Sequence, residues 1–473
     1  MQEKYTIVVG SGISGLTMAL LQAQRGKRVV LVEKLPFIGG YMRRFTRNGL
    51  RYDTGFHFTG GNGGVLQQIL NALDFRPGDF QISLLPTEVY LAEDGTYFRF
   101  PNQGLDALCD AMCNAFSSSA AAIRRYYEAE LACVVNTPLY DLKLLKDLNM
   151  FTGMTEYDGF TVNGFMDKLG IENTALRALL PIMALCHGTP PGEASFSYHC
   201  RCSYSLDCSI SSIAGGSDVF LRSFERKFKE YGVEILTNCH IKRLDVSETA
   251  PLCKEAVLSN GISLPVERIF FAIHPAEILP LLPERLISRS IKRRFDALKP
   301  TCSCFVVHGY FDQGCKVPET YSIFLDKNDL DTFLLPGANG RSTCLVTSND
   351  PANRCPTFTL FSAMFKDDCP SYKGEQYADF KASTADRLMN MVYERYPEYR
   401  GRMHIGDTST PYTLQRYSPP LGSAYGTRQI LAQSRIAGTL PVGNCYNLGH
   451  HAQFPGVLGC IMSAMMLNQS IQE

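Results

Sequence analysis

Tryptophan is absent from this chain of 473 residues, and so is any excess of charge. Its 46 Lys and Arg balance 46 Asp and Glu, for a net charge of zero and a pI near 7.1. No basic field is available to hold nucleic acid or anionic lipid by charge alone. The sequence has no stretch of about 18 uninterrupted apolar residues for a membrane-spanning helix, and no signal-peptide apolar core precedes Tyr5. Seventeen cysteines are many, yet they are scattered and follow no secretion signal, which reads as free thiols in a reducing cytoplasm. Only His199, Cys200, Cys202 and Cys208 cluster. Their C-x-C-x5-C spacing matches no common zinc or iron–sulfur pattern, so no metal is expected.

What is present starts at once. Tyr5 to Val9 is a short β-branched apolar run, as in a strand buried on both faces, and Gly10, Gly12 and Gly15 follow it. The first glycine permits a tight strand-to-helix turn, the second admits a pyrophosphate to the backbone, and the third lets helix and strand pack closely. A helix from Ser14 to about Gln24 carries Leu16, Ala19, Leu20 and Ala23 on one face, with Gly26 as a left-handed C-cap. A second strand, 28 to 32, ends at Glu33, placed to accept hydrogen bonds from a ribose. Together these predict a dinucleotide-binding βαβ unit, with Gly10, Gly12, Ile13, Ser14, Gly15, Glu33 and Lys34 as its cofactor-binding residues.

A second glycine pair, Gly39 and Gly40, allows another close backbone approach, and Arg43 and Arg44 are candidates to neutralise a pyrophosphate. The string from Glu33 to His57, E-K-x(4)-G-G-x(4)-F-x(3)-G-x(2)-Y-D-T-G-x-H, resembles the N-terminal flavin signature of the phytoene desaturase, carotenoid isomerase and retinol saturase group of FAD-dependent oxidoreductases. The ending Asp53-Thr54-Gly55-Phe56-His57 leans towards the retinol saturase branch.

The resemblance implies an α/β fold: a Rossmann-like FAD-binding domain of the glutathione-reductase and amine-oxidase kind, with an inserted α+β substrate domain on a mainly antiparallel sheet. The expected division is 1–75, 210–280 and 430–473 for the cofactor, and 76–209 and 281–429 for the substrate. Residues 60 to 64, GGNGG, read as a flexible loop. The helix 218 to 231 would return the chain to the cofactor domain, where the backbone of Ile241 would meet the adenine. His274 reads as a satisfied loop histidine. The segment 408 to 426 resembles the family's T-P-x-T-x(2)-R-Y stretch with its later Y-G, which makes Tyr412, Arg416, Tyr417 and Tyr425 candidate cavity residues.

Near the end, 436 to 443 reads as a strand and 444 to 454 as a loop. Pro455 then opens an apolar helix whose first turn leaves amides unpaired, and the resemblance implies that this turn, with Gly456, Val457 and Leu458, faces the flavin ring. Gly443 and Asn444 take the place where relatives hold the ribityl or pyrophosphate part, many with an acidic residue or Gln where Asn444 stands. His57, His450 and His451 are the candidate proton donors.

The implied cofactor is FAD; no second GxGxxG follows a strand, so no separate NAD(P)H domain is expected. The implied substrate is a lipophilic polyene, isoprenoid or retinoid-like compound, saturated, desaturated or isomerised, which suggests a cytoplasmic protein, at most peripheral to the inner face of a membrane. Two alternatives remain on the same fold: an amine or protoporphyrinogen oxidase, weakened by Tyr41 where such oxidases often carry Arg, and a non-enzymatic prenyl-binding protein resembling GDP-dissociation inhibitors.

Overall fold

The computed structural model describes residues 3–471 except 61–63, 136, 138, 147–154, 339, 419–421, 432–437 and 453. Two sheets organise these residues. The first contains β1 (Tyr5–Val9), joined through α1 (Ile13–Gln24) to β2 (Val29–Val32). β2 and the strand Ser263–Phe271 flank β1 in parallel, and Glu234–Leu236 pairs in parallel with β2. The hairpin strands Ile241–Val246 and Cys253–Leu258 extend the other side antiparallel. Every β2 residue is buried, as expected of strands covered on both faces.

α1 departs from the one-faced helix read in its sequence, because Ile13 to Ala23 are all buried. Two helices explain this. Asp218–Tyr231 packs against α1 with Val219, Phe220, Phe224 and Phe228 inward, and stops at Gly232, φ +69°. Gly456–Ser470 also packs on α1, where Gln22 donates to Asn468 across the buried contact at 2.7 Å.

The second sheet has seven strands, in the order Met403–Ser409, Ser303–Phe311, Thr357–Met364, Ser342–Ser348, Tyr321–Leu325, Thr87–Leu91 and Thr96–Arg99. All neighbours are antiparallel except the parallel pair Tyr321–Leu325 and Thr87–Leu91. The helix Glu375–Arg395 covers one face, where Phe305, Val307 and Leu360 meet Ala385, Leu388 and Val392. Strand alternation sends Cys304, Val306 and Phe361 to the other face, and these line a cavity.

Three local expectations need correcting. Thr59–Gly60 is a short strand paired with Ser211 and Ile210, so Gly60 is not loop; its ideal Cβ would lie 2.5 Å from Ser205 Oγ, and only glycine allows that approach. Residues 61–63 of the same stretch lie outside the described residues. Finally, the strand that enters the first sheet beside Ile269–Phe271 is Cys445–Asn447, inside the stretch read as loop. Of the strand read at 436–443, residues 436–437 lie outside the described residues, and Gly438–Thr439 forms only a two-residue antiparallel edge. Its proline, Pro441, cannot donate to a central ladder.

Candidate functional site

The C-terminal ends of β1, β2 and Ser263–Phe271 open onto a cavity of about 650 Å³, the usual place for a ligand in an open α/β sheet. The three glycines build its floor by different means. Gly10 has φ +92°, and its ideal Cβ would lie 2.8 Å from Ala272 O. Gly15 would put a Cβ 1.9 Å from Gly10 O, so glycine alone lets α1 sit this close to the turn. Gly12 caps α1 without a side-chain bond, and nothing lies within 4 Å of its ideal Cβ. The amides that start α1 therefore face open space beside Ser11, Ile13 and Ser14, an arrangement suited to an anion.

Glu33 lies at the end of β2, only 7% exposed. Ser11 donates to Oε2 from its backbone N–H (2.9 Å) and hydroxyl (2.6 Å), and Leu35 N–H donates to Oε1 at 2.8 Å. A carboxylate offers about four lone-pair sites, so capacity remains for a diol. Lys34 lines the cavity 3.2 Å from Glu277, and Ile241 lines it from the edge strand Ile241–Val246. Gly40, φ +53°, packs over Gly12 Cα, whereas Gly39 stands behind the wall, its N–H donating to Ser11 O at 3.0 Å.

The arginines are placed differently from expectation. Arg43 lies over the Phe37 ring at 3.3 Å. Arg44 is buried among three carboxylates: Asp350 at 2.5 Å, Asp53 at 3.4 Å and Asp218 at 3.9 Å. Neither belongs to the cavity wall. Gly443 and Asn444 also stand away from it. Asn444 bridges backbones instead, accepting from Cys253 N–H at 2.8 Å and donating to Cys253 O and Glu267 O at 2.9 and 3.1 Å. The reason is the displaced strand: the residues leaving the sheet at the cavity are Leu448, Gly449 and His450. Gly449, φ +102°, lies against Ser14, its ideal Cβ 3.3 Å from Oγ.

At the far end, Pro455, Gly456, Val457 and Leu458 bring the start of the helix Gly456–Ser470 to the cavity, and no side chain caps it. The opposite wall is apolar, with Cys304, Val306 and Phe361 from the second sheet and Leu206 from the helix Phe196–Cys208. His57 stacks on Phe361 with ring centres 5.4 Å apart, and burial pushes its imidazole down to about 4. Tyr417 and Tyr425 line the cavity; burial and the surrounding thiols raise the Tyr425 phenol. Tyr412 and Arg416 do not. One turn apart on the same helical face, they meet Tyr372, with ring centres 5.5 Å apart for Tyr412 and a 2.8 Å hydrogen bond from Arg416 to the hydroxyl.

His450 and His451 line the cavity in mutual contact, Nε2 to Nε2 at 2.7 Å. His274 joins them. Its Nδ1 accepts from Ala276 N–H at 3.1 Å, as a satisfied loop histidine would, while its ring lies 4.4 Å from that of His451. The thiol and imidazole cluster disperses around its helix: His199 bonds His187 at 2.8 Å, Cys200 is fully buried and Cys202 reaches the cavity. Phe361, Cys304 and Gly449 went unread as site residues in the sequence; for Gly449 the signal was the short step Cys445-Tyr446-Asn447-Leu448 before a glycine.

A profile of the NAD(P)-binding Rossmann-like domain matches residues 8–73. The human all-trans-retinol 13,14-reductase is 22% identical over 98% of this chain and 85% of its own length. The chain resembles the retinol saturase group. The chloroplastic prolycopene isomerase 2 of an Oncidium hybrid cultivar is 31% identical over 27% of this chain and 22% of its own. Among solved structures, the cyclohexylamine oxidase of Brevibacterium oxydans superposes with a TM-score of 0.60 at 16% identity, over 100% of both chains, which shows the shared fold. Among the described residues no helix is long and apolar enough to cross a membrane.

Proposed function

We propose that this chain is an FAD-dependent oxidoreductase that saturates, desaturates or isomerises carbon–carbon double bonds of a lipophilic polyene. The observation that carries this reading is one continuous cavity, running from the free amides of α1 to the apolar wall around His57 and Phe361. The end-to-end similarity to retinol reductases supports the substrate class. In this reading residues 1–75, 210–280 and 430–473 hold the cofactor, residues 76–209 and 281–429 hold the substrate, and the protein works in the cytoplasm, loading from a membrane surface.

The site fits an extended FAD. The open space above Gly12 would admit the diphosphate, and the lining residues Glu33 and Ile241 would hold the ribose and the adenine. Bound FAD would supply a two-electron hydride donor and acceptor. The chain's own residues do the rest. The first turn of Gly456–Ser470 favours negative charge at the ring edge. Cys304, Val306, Phe361 and Leu206 exclude water, and each CH2 of substrate buried among them contributes about 0.8 kcal/mol. His57, on the substrate side against Phe361, moves the proton that accompanies hydride transfer.

Under anaerobic conditions, reconstituted protein is expected to lose its flavin absorption when the reduced form of a polyene is added, with a product lighter by two hydrogens. A protein that stays colourless after reconstitution with FAD would end the proposal. His57→Phe should keep FAD and lower turnover by about 10²- to 10⁴-fold, the usual worth of a positioned acid or base. Unchanged turnover would remove His57 from the mechanism.

A further inference from the structure

A diphosphate brings two negative charges, and the cavity offers few cations to meet them. Arg43 and Arg44 are turned away, and Lys34 is paired with Glu277. Among the described residues the other lining cation, Arg201, stands on the substrate-side helix, where its Nε donates to Cys133 O at 3.1 Å. What stands beside the start of α1 is a group of three imidazoles. Gly449 packs on Ser14, which sets His450 and His451 next to that helix start, and His274 closes on His451 from the end of the strand Ser263–Phe271.

The geometry points to the His274, His450 and His451 cluster as the counter-charge of the cofactor's diphosphate: the imidazoles are neutral in the cofactor-free protein and take up one proton as FAD binds. This rests on the FAD reading above. The cluster is built with an incomplete hydrogen-bond set. His274 Nδ1 accepts from Ala276, which fixes its tautomer, and a single N–H serves the contact between His450 and His451. Among the described residues His451 Nδ1 is then left buried without a partner. If it carries a proton it donates to nothing; if it is bare it is a buried base. Either state is costly in an apolar site, and an adjacent anion favours an added proton on the pair.

Charged and titratable groups stand around the cluster on each element packed against it. Glu277 faces the cluster from the helix after His274 and is paired with Lys34. Glu33 at the end of β2 is held by Ser11 and Leu35. Arg428, beyond Gly426 on the packed segment, is turned to Glu193 at 3.0 Å. From that same segment Tyr425 contributes a phenol raised by burial, and from the closing helix Cys460 contributes a thiol that burial pushes up to about 11. Burial holds His274 and His450 down to about 4, and burial together with the neighbouring imidazoles holds His451 well below its usual value. In the free protein the cluster is therefore uncharged at pH 7. A proton gained on binding makes binding tighter at lower pH, by about tenfold per pH unit between the free and bound values.

The test is calorimetric titration of cofactor-free protein with FAD at pH 7, in two buffers of different ionisation enthalpy. About one proton taken up per FAD is expected, with Kd rising about tenfold from pH 6 to pH 7. The His450→Gln and His451→Gln double variant should bind FAD with no uptake and a pH-independent Kd. Wild-type binding with no proton uptake overturns the inference and leaves the FAD reading standing. Uptake that persists unchanged in the double variant also overturns it, and failure of FAD to bind removes both readings.

Discussion

Gly15→Ala is expected to abolish flavin retention and to destabilise the fold. The added Cβ would lie 1.9 Å from Gly10 O and 3.1 Å from Gly10 C, with Ala272 Cβ at 3.2 Å. No rotamer change relieves a clash with backbone, so α1 must move off the turn. Overpacking typically costs 1–3 kcal/mol. Because α1 is buried between the sheet and two helices, about 3 kcal/mol is the expected loss. The displaced helix start then no longer presents its amides to an anion. Gly12→Ala separates the two effects, since nothing lies within 4 Å of its ideal Cβ. Cofactor-free, that variant should unfold at the midpoint of the cofactor-free wild type, yet it should not bind FAD, because the methyl group fills the space the diphosphate needs. Yellow Gly15→Ala protein with a wild-type midpoint would contradict this account of the turn.

The parts of this architecture governed by local rules were legible in the sequence. β1, the glycine turn and β2 obey strand burial and backbone sterics, and the helix Asp218–Tyr231 shows its apolar face and glycine stop plainly. What escaped depends on which partner a residue meets. Arg44 looked like a phosphate ligand because an arginine after a glycine pair commonly is one, but Asp350 lies 306 residues further on. Asn444 was misread because the more apolar run before it seemed the better strand. Pairing with Ile269–Phe271 decided the matter in favour of Cys445–Asn447. Tyr412 and Tyr417 belong to one aromatic segment, and only the direction of its short helix separates the residue facing Tyr372 from the one facing the cavity.

Arg44→Met should be the most damaging single substitution outside the glycine turn. Its side chain is 4% exposed and gathers Asp53 from the Asp-Thr-Gly motif, Asp218 from the first turn of its helix, and Asp350 from the loop after Ser342–Ser348. It thus ties the cofactor-side motif to the second sheet. Removing one partner of a buried ion pair leaves an uncompensated charge and costs about 3–5 kcal/mol. Arg51 still reaches Asp218, but Asp53 would keep only its bonds from Ser217. The sign of the pH dependence follows from Asp53, whose carboxyl burial already raises to about 6, against the opposing pull of Arg44 and Ser217. Without Arg44 it rises further. A carboxyl raised in the folded state favours folding fully below its unfolded value and loses that contribution as pH climbs through the folded value. The penalty in the variant should therefore be largest at pH 7 to 8 and shrink towards pH 5, where Asp53 takes up a proton. Urea unfolding of both proteins at pH 5 and pH 7.5 measures this directly. Arg44→Lys should fall between them, since a single ammonium cannot reach three carboxylates in the way a guanidinium fork does. A loss under 1 kcal/mol, equal at both pH values, would show that the three aspartates are stabilised without Arg44.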